Sequence, residues 1–154
     1  MNNLQVHFSS ENGEWGTPRD FFDKLDSEFH FTLDVCASNL NHKCDEYFTM
    51  EQDCFKQSWV RDGYFWMNPP YGRDIIHFIR KAVQETLCGA KGVILVPSRT
   101  DTAWWSLLWN HKAHRPRKWV KQIRFVRGRL KFEGAPNAAP FPSAVIVLQY
   151  ERHR

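Results

Sequence analysis

Four consecutive residues, Asn68, Pro69, Pro70 and Tyr71, combine side-chain types that structural roles seldom require together. An exocyclic amine on a nucleobase, or a carboxamide nitrogen, is a poor nucleophile because its lone pair is delocalised into the ring or the carbonyl. Two acceptors change that. With the Asn68 side-chain oxygen and the Pro69 carbonyl both accepting the amine's hydrogens, the nitrogen is held and driven towards tetrahedral geometry, its lone pair aimed at an electrophile. The prolines fix the backbone so that both acceptors stay in place, and Tyr71 offers a face on which a flat base or amide can stack. Such a transfer needs no charged general base. A rigid turn is the alternative, but a turn does not require the tyrosine.

The elements around this tetrapeptide suit a catalytic loop. Gly63 to Met67 is apolar and aromatic, and the two prolines end the strand it predicts, because they remove two backbone donors. Upstream, Thr17-Pro18-Arg19-Asp20 reads as a helix start, with a hydroxyl at the cap and proline at the first helical position. Phe21, Phe22, Leu25 and Phe29 then predict a helix from about 18 to 28. Phe31 to Ala37 predicts a strand, and Glu46 to Met50 a second. Ile75, Ile76, Ile79, Ala82, Val83 and Leu87 mark the apolar face of a helix closed by Gly89, with Arg80, Lys81, Gln84 and Glu85 opposite. Val93 to Val96 predicts a buried strand, and Thr102 to Asn110 a helix whose Trp104, Trp105 and Trp109 read as core at helical spacing, with base stacking as the alternative. Trp119 to Val126 and Ala144 to Tyr150 predict an antiparallel pair. Alternating strands and helices imply an α/β fold with a mostly parallel sheet, whose ligands bind beyond the carboxyl ends of the strands. Asp34, Asn68 and the Ser98 to Asp101 loop all fall at such ends.

Charge divides the chain. The net charge is +4, yet residues 1 to 60 carry four Lys/Arg against eleven Asp/Glu, and residues 61 to 154 seventeen against six. Nine Lys/Arg and no acid fall between Lys112 and Lys131, a run that favours a polyanion such as nucleic acid, or else a solvated basic face.

These residues resemble, in order along nearly the whole chain, the compact DNA N6-adenine methyltransferases of phages and prophages, which use S-adenosylmethionine. Asn68 to Tyr71 matches the family's catalytic tetrapeptide, and Trp15-Gly16-Thr17-Pro18 its opening motif. Leu33 to Ser38 matches its first-strand motif, and Pro97 to Thr102 the loop after the next strand. Gly128 to Phe132 and Phe141 to Ala144 match its closing segment. The resemblance implies a Rossmann-like fold in which Asn68, Pro69, Pro70 and Tyr71 hold the target adenine. It places Trp15, Thr17, Pro18 and Asp34 at the methionine end of the cofactor, and Asp53 at its adenine amine. Asp34 could equally be a strand-end turn acid, and Asp53 a surface acid. The ribose acid stays open among Asp45, Glu46 and Glu51, and Leu33 to Ser38 lacks a glycine-rich turn. Arg99, Arg127, Arg129 and Lys131, with Asp101 beside them, would meet DNA around an extruded adenine, unless they are ordinary surface residues. An RNA base amine or a protein glutamine is the alternative substrate, and a non-catalytic nucleic-acid-binding module the alternative class.

The 154 residues, 42% hydrophobic and 25% charged, suit one globular domain. The expected organisation is a polar leader over residues 1 to 14 and a single catalytic domain over 15 to 154, with no separate target-recognition domain. No apolar run approaches the roughly 20 residues of a membrane span, and Met1 to Gln5 does not read as a secretion signal, so a cytoplasmic setting with reduced cysteines is expected. His42, Cys44 and Cys54 lack a fourth ligand at zinc spacing, so no metal is expected.

Overall fold

A computed structural model describes residues 15–152, and the expected leader over residues 1–14 lies outside the described residues. Helix α1 spans Arg19–Phe29 and buries Phe22 and Leu25. Its cap is Pro18 rather than Thr17, and no side chain caps it, because the Thr17 hydroxyl is engaged elsewhere. The helix stops where His30 turns left-handed (φ 57°) and the Asp26 carboxylate accepts the Phe31 N–H at 2.8 Å.

Strand β1 covers Phe31–Asp34, shorter than expected, and β2 is only Glu46–Tyr47. The shortening at β1 has a local cause. The Asp34 carboxylate takes the N–H groups of Cys36 and Lys43, which curls the following chain out of the ladder. Strand β3 (Tyr64–Met67) ends just before Asn68, as the prolines that follow require. Helix α2 (Ile75–Leu87) follows, closed by Gly89 at φ 113°. Glu85 departs from its expected exposed position: it is buried, accepting the Trp59 N–H at 2.6 Å and pairing with Lys81 at 3.0 Å.

Strand β4 (Gly92–Pro97) is buried throughout. The helix expected over 102–110 does not form. A short 3₁₀ turn, Trp104–Leu107, buries Trp104 and Trp105, and a hairpin of β5 (Trp109–Asn110) and β6 (Arg115–Pro116) follows. The Asn110 carboxamide accepts the N–H groups of Lys112 and Ala113, closing a turn that competes with helix continuation. Trp104 and Trp105 are core residues as expected, while Trp109 is half-buried. Strands β7 (Val120–Phe125) and β8 (Ser143–Leu148) complete the sheet.

The sheet order is β2-β1-β3-β4-β8-β7. Neighbours from β2 to β4 pair parallel, and β8 pairs antiparallel with both β4 and β7, giving the expected α/β class. Consecutive strand side chains point to opposite faces. Trp66 meets Phe22 of α1 edge-on at 5.3 Å, whereas Phe65 meets Trp59, which is bonded to α2 through Glu85. One helix therefore covers each face, and the carboxyl ends of β1, β3 and β4 share one edge.

Gly92 lets the Phe65 ring lie flat on β4: a Cβ there would meet three ring atoms at 2.4 Å. Gly92→Ala should cost about 1–3 kcal/mol by overpacking, read as a fall of several degrees in Tm by thermal denaturation.

Candidate active site

Asn68 leaves β3 at the shared edge, and its amide nitrogen donates to two groups of the segment before α1: the Trp15 carbonyl and, at 2.9 Å, the Thr17 hydroxyl. A carbonyl oxygen can only accept, so the nitrogen must point at Trp15 and the oxygen away from it. That oxygen, Oδ1, is buried and has no partner among the described residues. Two other buried side-chain atoms share this condition, the hydroxyls of Ser98, just after β4, and Ser143, paired with Pro97 at the start of β8. All three orphaned atoms stand at the same edge of the sheet, where an unpaired buried group costs about 1–3 kcal/mol each unless a ligand completes it.

Beside Asn68 lies a cleft of about 440 Å³, within the roughly 300–1,000 Å³ of small-molecule and cofactor sites. Trp15, Gly16 and Thr17 form one wall, the Asp34 to Asn41 turn another, and Phe48 to Phe55 the far side; Asn68 and Pro70 close it. Asp34 is 4% exposed, and its two oxygens accept the Cys36 and Lys43 N–H groups at 3.3 and 2.9 Å. Burial outweighs those bonds and pushes its carboxyl up from 3.8 to about 6. Asp53 sits at φ 59° and accepts the Phe55 N–H at 3.0 Å.

The structure thus brings Trp15, Thr17, Asp34, Asp53, Asn68 and Pro70 to one cleft, while Pro18 and Pro69 are not among its lining residues. Of the three candidate ribose acids, Glu51 lines it and Asp45 and Glu46 do not; Glu46 is paired with Arg61 at 3.0 Å. Tyr71 departs from the stacking role read from the sequence. It is 7% exposed, its hydroxyl donates to the Leu95 carbonyl at 2.9 Å, and its ring meets Phe132 and Phe141 edge-on. Among the described residues, no group of three or more His, Cys, Asp or Glu is arranged to hold a metal. His42 instead bonds the Cys44 carbonyl and stacks on Tyr47.

The basic run is not one surface. Strand β7 starts level with the start of β4, so the hairpin carrying Lys112 and Arg115 sits by the edge opposite Asn68. Arg124 is held by Glu28, and Arg117 by the Ser106 carbonyl. Arg127, Arg129 and Lys131, after the end of β7, are exposed at the edge that carries Asn68, as are Arg99 and Asp101 after β4. The Arg99 guanidinium lies over Phe141 at 5.3 Å, and Arg129 reaches the Ala139 carbonyl at 3.5 Å.

A profile of the family described as "DNA N-6-adenine-methyltransferase (Dam)" matches residues 6–148. The chain belongs to that family. It is 32% identical over 93 residues to a DNA N-6-adenine-methyltransferase of Escherichia phage T1, a match covering 60% of this chain and 39% of the relative. A DNA N-6-adenine-methyltransferase of Haemophilus phage HP1 is 31% identical over 100 residues, covering 64% of this chain and 57% of that one. The matches therefore span well under two thirds of either relative's length. A solved S-adenosylmethionine-dependent O-methyltransferase of Thermotoga maritima aligns over 71% of this chain and 42% of its own at 9% identity, with a TM-score of 0.40, too distant to bear on function.

Several residues in and around this family member's cleft escape sequence reasoning. Phe55 and Phe78 meet at 4.7 Å on its rim; Phe78 could have been found, three residues after Ile75 and four before Ala82 on the α2 face. Lys43 and Glu133 carry no local signal. The Lys43 side chain, 7% exposed, pairs at 2.8 Å with Glu133, whose backbone N–H donates to the Gly16 carbonyl at the same distance. Trp15 also packs edge-on against Phe132 and Phe141, each at 5.2 Å. The segment after β7 is thus stitched to both the Trp15–Thr17 wall and the Lys43 turn. Glu133→Ala leaves the Lys43 ammonium with only the Asn41 carboxamide oxygen, and should cost about 1–3 kcal/mol, read as a lower midpoint in urea denaturation.

Proposed function

We propose that this chain transfers a methyl group from S-adenosylmethionine to the exocyclic amine of an adenine extruded from DNA, in a cytoplasmic setting. The single observation that carries the reading is Asn68 Oδ1, a buried acceptor with its orientation imposed and its partner missing. When bound, the cofactor supplies an electrophilic methyl on a sulfonium, which leaves as a neutral thioether.

The residues of the chain fit that group. Asp34, buried on the cleft wall, presents an anion towards an ammonium, and Asp53 stands where it can accept from an adenine amine. Trp15 and Thr17 turn the Asn68 amide so that Oδ1, with the Pro69 carbonyl, accepts the two N6 hydrogens of the target base. The nitrogen lone pair is then freed from the ring and directed at the methyl carbon. One N6 proton is lost after transfer, and the neutral acceptors pass it to water. The exposed Arg99, Arg127, Arg129 and Lys131 support binding of a phosphate backbone, whose contacts offset the few kcal/mol of extrusion.

Incubation with methyl-labelled cofactor and separate DNA, RNA and protein pools tests the reading: label should enter DNA adenine, and label confined to RNA or protein overturns it. Asn68→Ala should lower kcat by about 10²–10³-fold. Thr17→Val, which removes the hydroxyl acceptor, should lower it by about 10 to 10²-fold, with Thr17→Ser restoring it.

Asp34 makes cofactor binding pH-dependent. Ionised above about pH 6, it attracts the ammonium, and as pH falls through that value it takes a proton and the attraction is lost. Its folded value lies above its ordinary 3.8, so protonation at this site favours the folded state between about pH 6 and 4, and weaker binding there is not unfolding through Asp34. Calorimetric titration should show cofactor affinity falling from pH 8 to pH 5, with Asp34→Asn binding weakly and without that slope.

A further inference from the structure

Among the exposed large apolar side chains, Leu40, Met50 and Phe55 border the cleft, but Phe125 does not, and at 66% it is more exposed than Phe55, the other aromatic in that group. Its position is set by the sheet. Strand β7 is an edge strand antiparallel to β8, which is itself antiparallel to β4, so β7 runs the same way as the parallel strands and ends at the edge that carries Asn68. Phe125 is in register with Ala144, and Ala144 with Val96 near the end of β4. Three strand spacings separate β7 from β3, roughly 14 Å.

The ring is uncovered for identifiable reasons. Its cross-strand neighbour is an alanine, no strand lies beyond β7 among the described residues, and alternation turns it away from Arg124, which is taken up by Glu28 and Phe29 on the α1 face. The residues that follow it are cationic: Arg127 and Arg129 come on a turn through Gly128 at φ 76° and Lys131 after them, while Arg99 follows β4, two strands away, with its guanidinium over Phe141. An exposed aromatic ring beside arginines that make no ion pair among the described residues is the pairing of base stacking with phosphate attraction, and their charge disfavours pairing with a second copy of the same edge.

We infer that Phe125 stacks on a base of the DNA flanking the extruded adenine, holding the duplex open while Arg127 and Arg129 grip the adjoining phosphates. The inference rests on the proposed DNA reading and assigns the chain a contact to bases outside the catalytic cleft. At roughly 14 Å from β3, the ring would reach a base about four steps along a strand stacked at 3.4 Å, or a nearer one if the duplex is kinked.

The test compares Phe125→Ala, Phe125→Trp and Phe125→Tyr with the parent chain, each checked for an unchanged melting temperature. Anisotropy of a fluorescein-labelled random-sequence duplex gives binding, and label incorporation gives kcat and KM. Phe125→Ala should weaken duplex binding and raise KM by about tenfold, with Trp and Tyr retaining parental values. Parental binding by Phe125→Ala, or a loss in Phe125→Trp as large as in Ala, overturns the inference. So does a changed oligomeric state in sedimentation with DNA binding intact, which would assign the ring to a second copy. If the parent chain binds DNA but transfers no label to it, the methylation reading fails while the binding comparison still decides the role of Phe125.

Discussion

The Trp15 carbonyl and the Asn68 amide form the contact on which the site depends. An asparagine side chain can present either end of its amide to a substrate, and the two ends have opposite hydrogen-bonding character. A main-chain carbonyl removes the choice, because it can meet only the nitrogen. The Thr17 hydroxyl accepts from the same nitrogen, which leaves the oxygen as the free end. Much of the surrounding structure serves to keep Trp15 where it is. Its ring packs edge-on against both Phe132 and Phe141, and the Gly16 carbonyl is tied to the Glu133 N–H.

Asp34 shows the same economy in an acid. Its carboxylate ends β1 by capturing two backbone N–H groups, and it forms part of the cleft wall. The alternatives left open by the sequence, turn acid or ligand-facing acid, are therefore not exclusive: a single buried group shapes the loop and lines the cleft. Lys43, whose N–H is one of the two captured, carries its ammonium to Glu133 and so connects that loop to the closing segment.

What could be read in advance followed local periodicity. The core strands, α2 and the antiparallel ending announce themselves through apolar runs, helical spacing and proline breaks, and the cleft residues Trp15, Thr17, Asp34 and Asn68 sit in contiguous motifs. The failures arose where side chains compete with backbone or where partners are distant. Asn110 diverted a helical pattern into a hairpin by capturing two N–H groups. Thr17 looked like a helix cap because its hydroxyl precedes a proline, but its hydrogen bond goes to a residue 51 positions away. Tyr71 was expected to present a ring face, and only the fold reveals how little of it is exposed beside Phe132 and Phe141. The basic run divided because a strand carries its two ends to opposite edges of the sheet, a separation that charge counting cannot register.

The insertion of β8 between β4 and β7 bears on how the molecule comes into being. Among the described residues the last strand is an interior one, and β7 has no strand to pair with there until residues 143–148 arrive. The Lys43–Glu133 pair likewise closes a separation of 90 residues. Contacts of such long sequence separation form late and slowly. During synthesis the parallel half of the sheet can assemble early, but the wall that orients Asn68 waits for the closing segment. The orientation of Asn68 is then coupled to completion of the sheet, and a partly synthesised chain would hold the tetrapeptide without the means to aim it.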